Sequence, residues 1–520
     1  MKEGLRQSMA WLHTWAGLLL GWLLFAMFAT GTAAYFQDEI TRWMEPEIAG
    51  TVDPVSATEG AVRYLQTVAP DARAWFISPP NSRSATTKVF WQPDGERRGR
   101  RGDTSATLDG SGNRIEARET QGGYFLYRFH FDLHYMPVIW ARYLVGIAAM
   151  FMLVAILSGI VTHKKIFADF FMLRFGKGQR SWLDAHNVTA VIALPFHLMI
   201  TFTGLVTLAT LYMPWGIAAN YSDEAKFYDA VFAEPAAVER SGKPAALAPV
   251  GSMMRLASAE WHGARVGAVR VTNPGDATAK VVLTRAPEAA IGARGEAVIV
   301  DGTTGRQVGA GASKGAALAT ESVMIGLHTG RFAEWGLRGL YFLSGVGGTI
   351  MVGSGLVLWT VKRRARLADP ERPHFGFRLV ERLNVAAIAG LSAGLAAYFL
   401  ANRLLPLRME GRADWEIHCL FIAWGAMLAW AIVRPTRRAW VEGLSAAALL
   451  FAAVPVVNAL TTPRNLVASL AAGDWLFVGF DCVMLVLAAG FGWAARKAGR
   501  VRSDRTRRSE PAVAEAMAAA

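Results

Sequence analysis

The sequence predicts a polytopic α-helical membrane protein of about eight transmembrane helices, with a tandem parallel repeat in helices 1 to 4 that carries two small α+β domains outside the bilayer. Two observations lead there. Charge-free apolar stretches recur at 7–37, 143–163, 185–222, 339–361, 383–402, 417–433 and 443–463, and an eighth at 475–495 is broken only by Asp481; a bilayer core takes about 20 apolar helical residues. Short motifs also recur in order, at an offset that drifts slowly along the unit. The composition agrees, with 53% hydrophobic residues, 18% charged residues and a mean hydropathy of +0.26, outside the range of soluble domains.

In chain order, helix 1 lies within 1–37 behind Lys2 and Arg6. Its end, Thr32-Ala33-Ala34, is similar to a signal cleavage site, yet the run is longer than a signal core and has a repeat partner inside the chain, so it is expected to stay. The external segment 38–137 reads as helix over 58–67, strand over 86–92 and turn at Asp109-Gly110-Ser111-Gly112. Helix 2 occupies 138–163, a basic link with Lys164, Lys165, Arg174, Lys177 and Arg180 fills 164–184, and helix 3 covers 185–212. The second external segment, 213–335, reads like the first: helix over 250–259, strands over 269–272 and 280–285, and a turn at Asp301-Gly302-Thr303-Thr304-Gly305.

Helix 4 covers 336–361 and is followed by a basic link, 362–380, holding Lys362, Arg363, Arg364, Arg366, Arg372 and Arg378. Residues 381–496 supply four further helices with no counterpart in the repeat, and 497–520 form a basic tail that turns Ala-rich and irregular from Glu510. Lys and Arg accumulate on the cytoplasmic side of membrane proteins, which puts both termini inside. The net charge of +13 is then a topology signal, and nucleic acid binding is a poor reading of it. Arg403, Arg408 and Arg412, between helices 5 and 6, fall on the wrong side for this rule, and Asp481 is expected to reach outward from helix 8. Cys419 and Cys482 form no CxxC or CxxCH motif, which excludes a zinc ribbon or covalent haem attachment.

The repeat selects histidines. His13-x16-Thr30-Gly31 recurs as His186-x16-Thr203-Gly204 at an offset of 173. Ala72-Arg73, Lys88-Val89 and Asp109-Gly110 recur as Ala264-Arg265, Lys280-Val281 and Asp301-Gly302 at 192. Leu133-His134 matches Leu327-His328 at 194, and Ser158-Gly159-Ile160-Val161 matches Ser354-Gly355-Leu356-Val357 at 196. Parallel repeats are related by an axis along the membrane normal. His13 and His186 then face one another near the cytoplasmic side, and His134 and His328 near the external side. Two axial histidines per site suit two bis-histidine haems. Copper or zinc would need further thiolate or carboxylate ligands.

Gly17, Gly21, Gly31, Gly204 and Gly355 leave room for a flat macrocycle or for close helix packing. His197 and His163 are reserve ligands, because their repeat partners are Leu24 and Trp359. Arg128, Arg142, Arg331 and Arg338 flank the external pair as propionate partners or interface anchors.

His13-Thr14-Trp15-Ala16-Gly17, His163-Lys164-Lys165-Ile166-Phe167-Ala168-Asp169-Phe170-Phe171, Trp182-Leu183-Asp184-Ala185-His186-Asn187 and Leu327-His328-Thr329-Gly330-Arg331-Phe332 carry a resemblance. Through them residues 1–366 resemble the PepSY-associated transmembrane family, which includes iron-regulated membrane proteins and ferric-siderophore reductases; the further helices look like those of longer members. The resemblance implies PepSY-like periplasmic domains, a bacterial inner membrane, two b-type haems held by the transmembrane histidines, and electron delivery to a ferric siderophore or other ferric chelate. No flavin or nicotinamide motif is present, so the donor is a quinol or a separate reductase. Two other readings stay open: a transporter for a small solute or siderophore, and a non-catalytic peptide-binding regulator.

Overall fold

The computed structural model describes residues 4–518 apart from 49, 51, 94–103, 164–172, 175, 232–237, 293 and 312–314, with side chains as far as residue 500. Lys164, Lys165 and the motif from Lys164 to Phe171 therefore lie outside the described residues.

The chain is a multi-pass helical membrane protein. Among the described residues, seven helices are long and apolar enough to cross a bilayer: helix 1 (Leu5–Ala34), helix 2 (Val138–Thr162), helix 4 (Trp335–Arg364), helix 5 (Phe375–Leu404), helix 6 (Arg412–Val433), helix 7 (Thr436–Thr461) and helix 8 (Trp475–Arg500). Helix 3 reaches that length only as a pair, Gln179–Ile192 and Leu194–Thr207, bent by 69°. Pro195 sits at the break; it has no N–H for the Val191 carbonyl and its ring crowds that carbonyl. The eight expected spans thus become seven, or eight when the bent pair is one span. Helix 8 runs on to Ala518 where the sequence suggests an irregular tail, in keeping with the helix propensity of its alanines.

Two compact units form, one of Met1–Pro46, Arg118–His197 and Ser344–Ala520, the other of Glu47–Ala117 and Leu198–Leu343. In the second unit the two segments expected to fold as separate α+β modules do not do so. Strands β1 (Ala74–Ser78), β2 (Thr87–Gln92), β3 (Ser105–Leu108), β4 (Val266–Thr272), β5 (Lys280–Arg285), β6 (Ala297–Asp301) and β7 (Gln307–Ala310) build one antiparallel sheet, in the order β3-β2-β1-β4-β5-β6-β7. The join is β1 against β4, with Trp75 opposite Val271 and Ile77 opposite Val269. The physical reason is edge pairing: a three-stranded sheet ending at β1 would leave a row of N–H and C=O groups unpaired.

Alternation along the strands sends Trp75, Ile77, Val89, Val269, Val271, Val281, Leu283, Val298 and Val300 into one core beneath helices Pro54–Val68 and Val250–Glu260. Where these helices meet, the Gly251 N–H donates to Glu59 Oε1 at 2.5 Å.

In the first unit, helices 5 to 8 enclose polar groups. Arg403 is 6% exposed and Arg412 fully buried, so neither is a solvated loop charge. Asp481 does not reach outward: it is fully buried and accepts from Trp43 Nε1 at 3.1 Å and Asn458 Nδ2 at 3.2 Å.

Candidate functional site

Four histidines are seated in the same way. His13 Nδ1 bonds the Ala155 carbonyl at 2.8 Å, and its ring lies against Gly159. His186 Nδ1 bonds the Met351 carbonyl at 2.8 Å, with the ring against Gly355. His130 Nδ1 bonds the Met27 carbonyl at 2.7 Å, against Gly31, and His328 Nδ1 bonds the Ile200 carbonyl at 3.0 Å, against Gly204. In each case the glycine stands four residues after the carbonyl it opens.

Helix geometry explains that spacing. A helical side chain leans back over the turn before it, so the residue at i+4 normally covers the carbonyl at i. Glycine leaves the carbonyl's second lone pair open to a ring from another helix. A Cβ on Gly31 would lie 2.7 Å from the His130 ring and one on Gly204 2.8 Å from the His328 ring, whereas Gly159 and Gly355 give 3.3 Å and 3.2 Å. The two classes predict different tolerance to alanine.

Committing Nδ1 to a carbonyl fixes the tautomer and orientation of the ring and reserves Nε2 for a metal, the usual arrangement of a metal-bound histidine. Burial holds the His130 imidazole below its usual pKa, against the pull of its bond to Met27, and neutral imidazole is the ligand form.

His13 and His186 come together within the first unit, with ring centres 6.2 Å apart and planes at 72°. Two metal–imidazole bonds of about 2.1 Å each leave about 1 Å on either side of the 6.2 Å separation, the distance from a ring nitrogen to its own ring centre. The spacing of the pair is therefore that of two imidazoles which would share one haem iron.

The matching of His134 with His328 needs correction. The residue seated like His328 is His130, since Met27 and Gly31 correspond to Ile200 and Gly204 at the same offset of 173 that relates His13 to His186. The helix Gly122–Asp132 ends before His134 is reached, and Leu133 turns away at φ +53°. His134 stacks instead on Phe421, with ring centres 5.5 Å apart.

The reserve residues separate. His163 caps helix 2 and shares a 3.0 Å contact with Asn187 Nδ2. His197, 1% exposed, has a backbone hydrogen bond to Ser344 and lies against Gly348, again four residues on. Its Nε2 is buried with no partner among the described residues. This fifth seat has no symmetric copy.

Arg128 and Arg142 are committed to Asp132, which is 4% exposed; the Arg142 Nε contact is 2.7 Å. They answer a protein carboxylate, which weakens the propionate expectation for both. Arg338 is buried, with Nε on the Ala333 carbonyl at 3.3 Å, and Arg331 is exposed. A glycine four residues after a carbonyl, on the helix facing each histidine, was present in the sequence as a signal but is meaningless until the helices are paired.

Comparison with known proteins gives two findings. The model of a family described as the PepSY-associated TM region matches residues 10–362, a span that holds all five seats and the whole sheet and stops before helix 5. The chain is also similar to an uncharacterized protein of Pseudomonas aeruginosa, 26% identical over 311 residues that cover 56% of this chain and 76% of that relative.

Proposed function

This chain belongs to the PepSY-associated TM family, and we propose that it is a b-type haem protein of the bacterial inner membrane that passes electrons to a ferric chelate in the periplasm. The observation that carries the reading is the shared seating of His13, His186, His130 and His328, each with Nδ1 on a helix carbonyl beside a glycine. Such seats restrict ring rotation and leave Nε2 available, which serves ligation and has no evident purpose in helix packing alone.

His13 and His186 would hold haem near the cytoplasmic side, and His130 and His328 are each prepared as an external-side ligand. Bound haem supplies reversible one-electron chemistry. The protein's own residues set ligand orientation, exclude water and, through the apolar surroundings of the seats, tune the potential. Reduction weakens an oxygen-ligated ferric complex because Fe(II) is softer and less charged than Fe(III). The tandem parallel repeat and the periplasmic placement of the sheet belong to this reading.

Purified protein expressed with ample haem is expected to show a b-type absorbance spectrum that sharpens with dithionite. His13→Ala and His186→Ala each lower haem content by up to one equivalent. A colourless wild-type preparation rejects the reading.

The seats give a finer expectation. Gly31→Ala and Gly204→Ala displace the ring they cradle and lower haem content, whereas Gly159→Ala and Gly355→Ala, with about half an ångström more room, retain most of it. Pyridine haemochromogen assay of the four variants reads this order; equal losses in all four remove the seat geometry as its cause.

A further inference from the structure

Beyond the seats, titratable rings gather where the chain passes from the helix Gly122–Asp132 into helix 2. Tyr135 Oη and His418 Nδ1 share a hydrogen bond, and their rings lie nearly parallel at 5.8 Å. Phe421 stacks on His134 at 5.5 Å and touches Tyr135 at 4.9 Å, while Trp415 meets His418 at 5.3 Å. His134 makes ring contacts but no hydrogen bond among the described residues. The backbone is bent to present these groups, with positive φ at Leu133 and Tyr135, an uncommon conformation for bulky side chains. The patch is open: Tyr135 is 61% exposed, Trp140 62% and Trp415 43%, at the ends of helices 2 and 6.

We propose that His134, Tyr135 and His418 bind the head group of a membrane hydroquinone and accept the protons released when it is oxidised, so that the electron donor arrives through the lipid. The inference rests on the haem reading above. A hydroquinone is a flat ring with two O–H donors on an apolar tail. The cluster offers aromatic faces for the ring, an imidazole with no other partner for one hydroxyl, and a phenol–imidazole pair for the other, at a place where apolar side chains face outward. Burial, with a smaller push from His418, holds His134 below its usual pKa against Asp414, so the imidazole is a neutral acceptor near pH 7.

The step balances. Both O–H bonds of the hydroquinone break and the quinone forms; its two electrons would leave one at a time to ferric haem, the oxidant the haem reading supplies. One proton goes to the His134 imidazole. The other passes to Tyr135 as its own proton moves to His418.

The test uses the full-length haem-loaded protein in nanodiscs with decylubiquinol as reductant. His134→Leu and Tyr135→Phe are expected to keep wild-type amounts of dithionite-reducible haem while decylubiquinol reduces them roughly 100-fold more slowly, the size of a lost proton acceptor. Reduction at the wild-type rate in both variants overturns the proposal. Loss of haem from His134→Leu also overturns it, by making His134 an iron ligand. A second measurement needs no haem: decylubiquinone quenches tryptophan fluorescence saturably in the wild type and weakly in Tyr135→Phe. No saturable quenching in the wild type overturns the site itself, whereas a wild type without dithionite-reducible haem rejects only the reading it rests on.

Discussion

On the proposed haem reading, His130→Leu is expected to lower the haem content of the purified protein by up to one equivalent, and His134→Leu to leave it unchanged. The two histidines are four residues apart; motif matching favours His134, whereas the seating favours His130. Leu133-His134 is similar to Leu327-His328 as a dipeptide, but ligation depends on what the Nδ1 atom meets. His130 meets Met27 beside Gly31 and His328 meets Ile200 beside Gly204, positions that match at one sequence offset of 173. Leucine at either position keeps an apolar side chain of similar bulk, so a loss of haem reports the ligand and not the fold. Metal-site losses of this kind exceed those from outer partners, which cost about 10–100-fold in affinity. Haem-to-protein ratios of the two variants settle the assignment, and equal ratios refute it.

Much of the architecture was legible because its cause is local. An apolar run of membrane length announces itself one residue at a time, and the His13 and His186 motifs carry their own Thr and Gly markers. The missing parts depend on neighbours distant in sequence. The fusion of the two α+β segments into one sheet rests on β1 meeting β4, nearly 200 residues on, with no local mark of that pairing beyond an unsatisfied edge. Gly31 and Gly204 could be read as packing or space, because which ring they admit depends on another helix. Arg128 and Arg142 looked available for propionates until Asp132 stood between them. Arg403 and Arg412 looked like loop charges, though they fall at helix ends turned inward.

Those inward charges yield the largest expected loss of stability. Arg412 and Glu416, both fully buried, form an ion pair one helical turn apart. Glu416 also accepts from Asn402 Nδ2 at 2.7 Å and Thr120 Oγ1 at 2.5 Å, and Arg412 donates to the Glu119 carbonyl at 2.8 Å. Glu416→Leu leaves a guanidinium without a counter-charge inside the bundle and is expected to cost about 3–5 kcal/mol. Arg412→Met alone costs a similar amount, by stranding the carboxylate.

The double variant Arg412→Met with Glu416→Leu is expected to lose less than the sum of the two single variants, since two apolar side chains leave no buried charge, while staying below the wild type because Asn402, Thr120 and the Glu119 carbonyl lose their partners. Thermal unfolding of the wild type, both single variants and the double variant in one detergent closes the cycle. Additive losses would mean that the pair is not coupled. Glu119 and Thr120 immediately precede the helix that carries His130, and Tyr398 Oη reinforces the same point by donating to the Gly122 carbonyl at 2.9 Å. Helices 5 to 8 thus hold the segment that positions His130, and on the proposed haem reading the single variants are expected to lower haem content before they unfold the bundle.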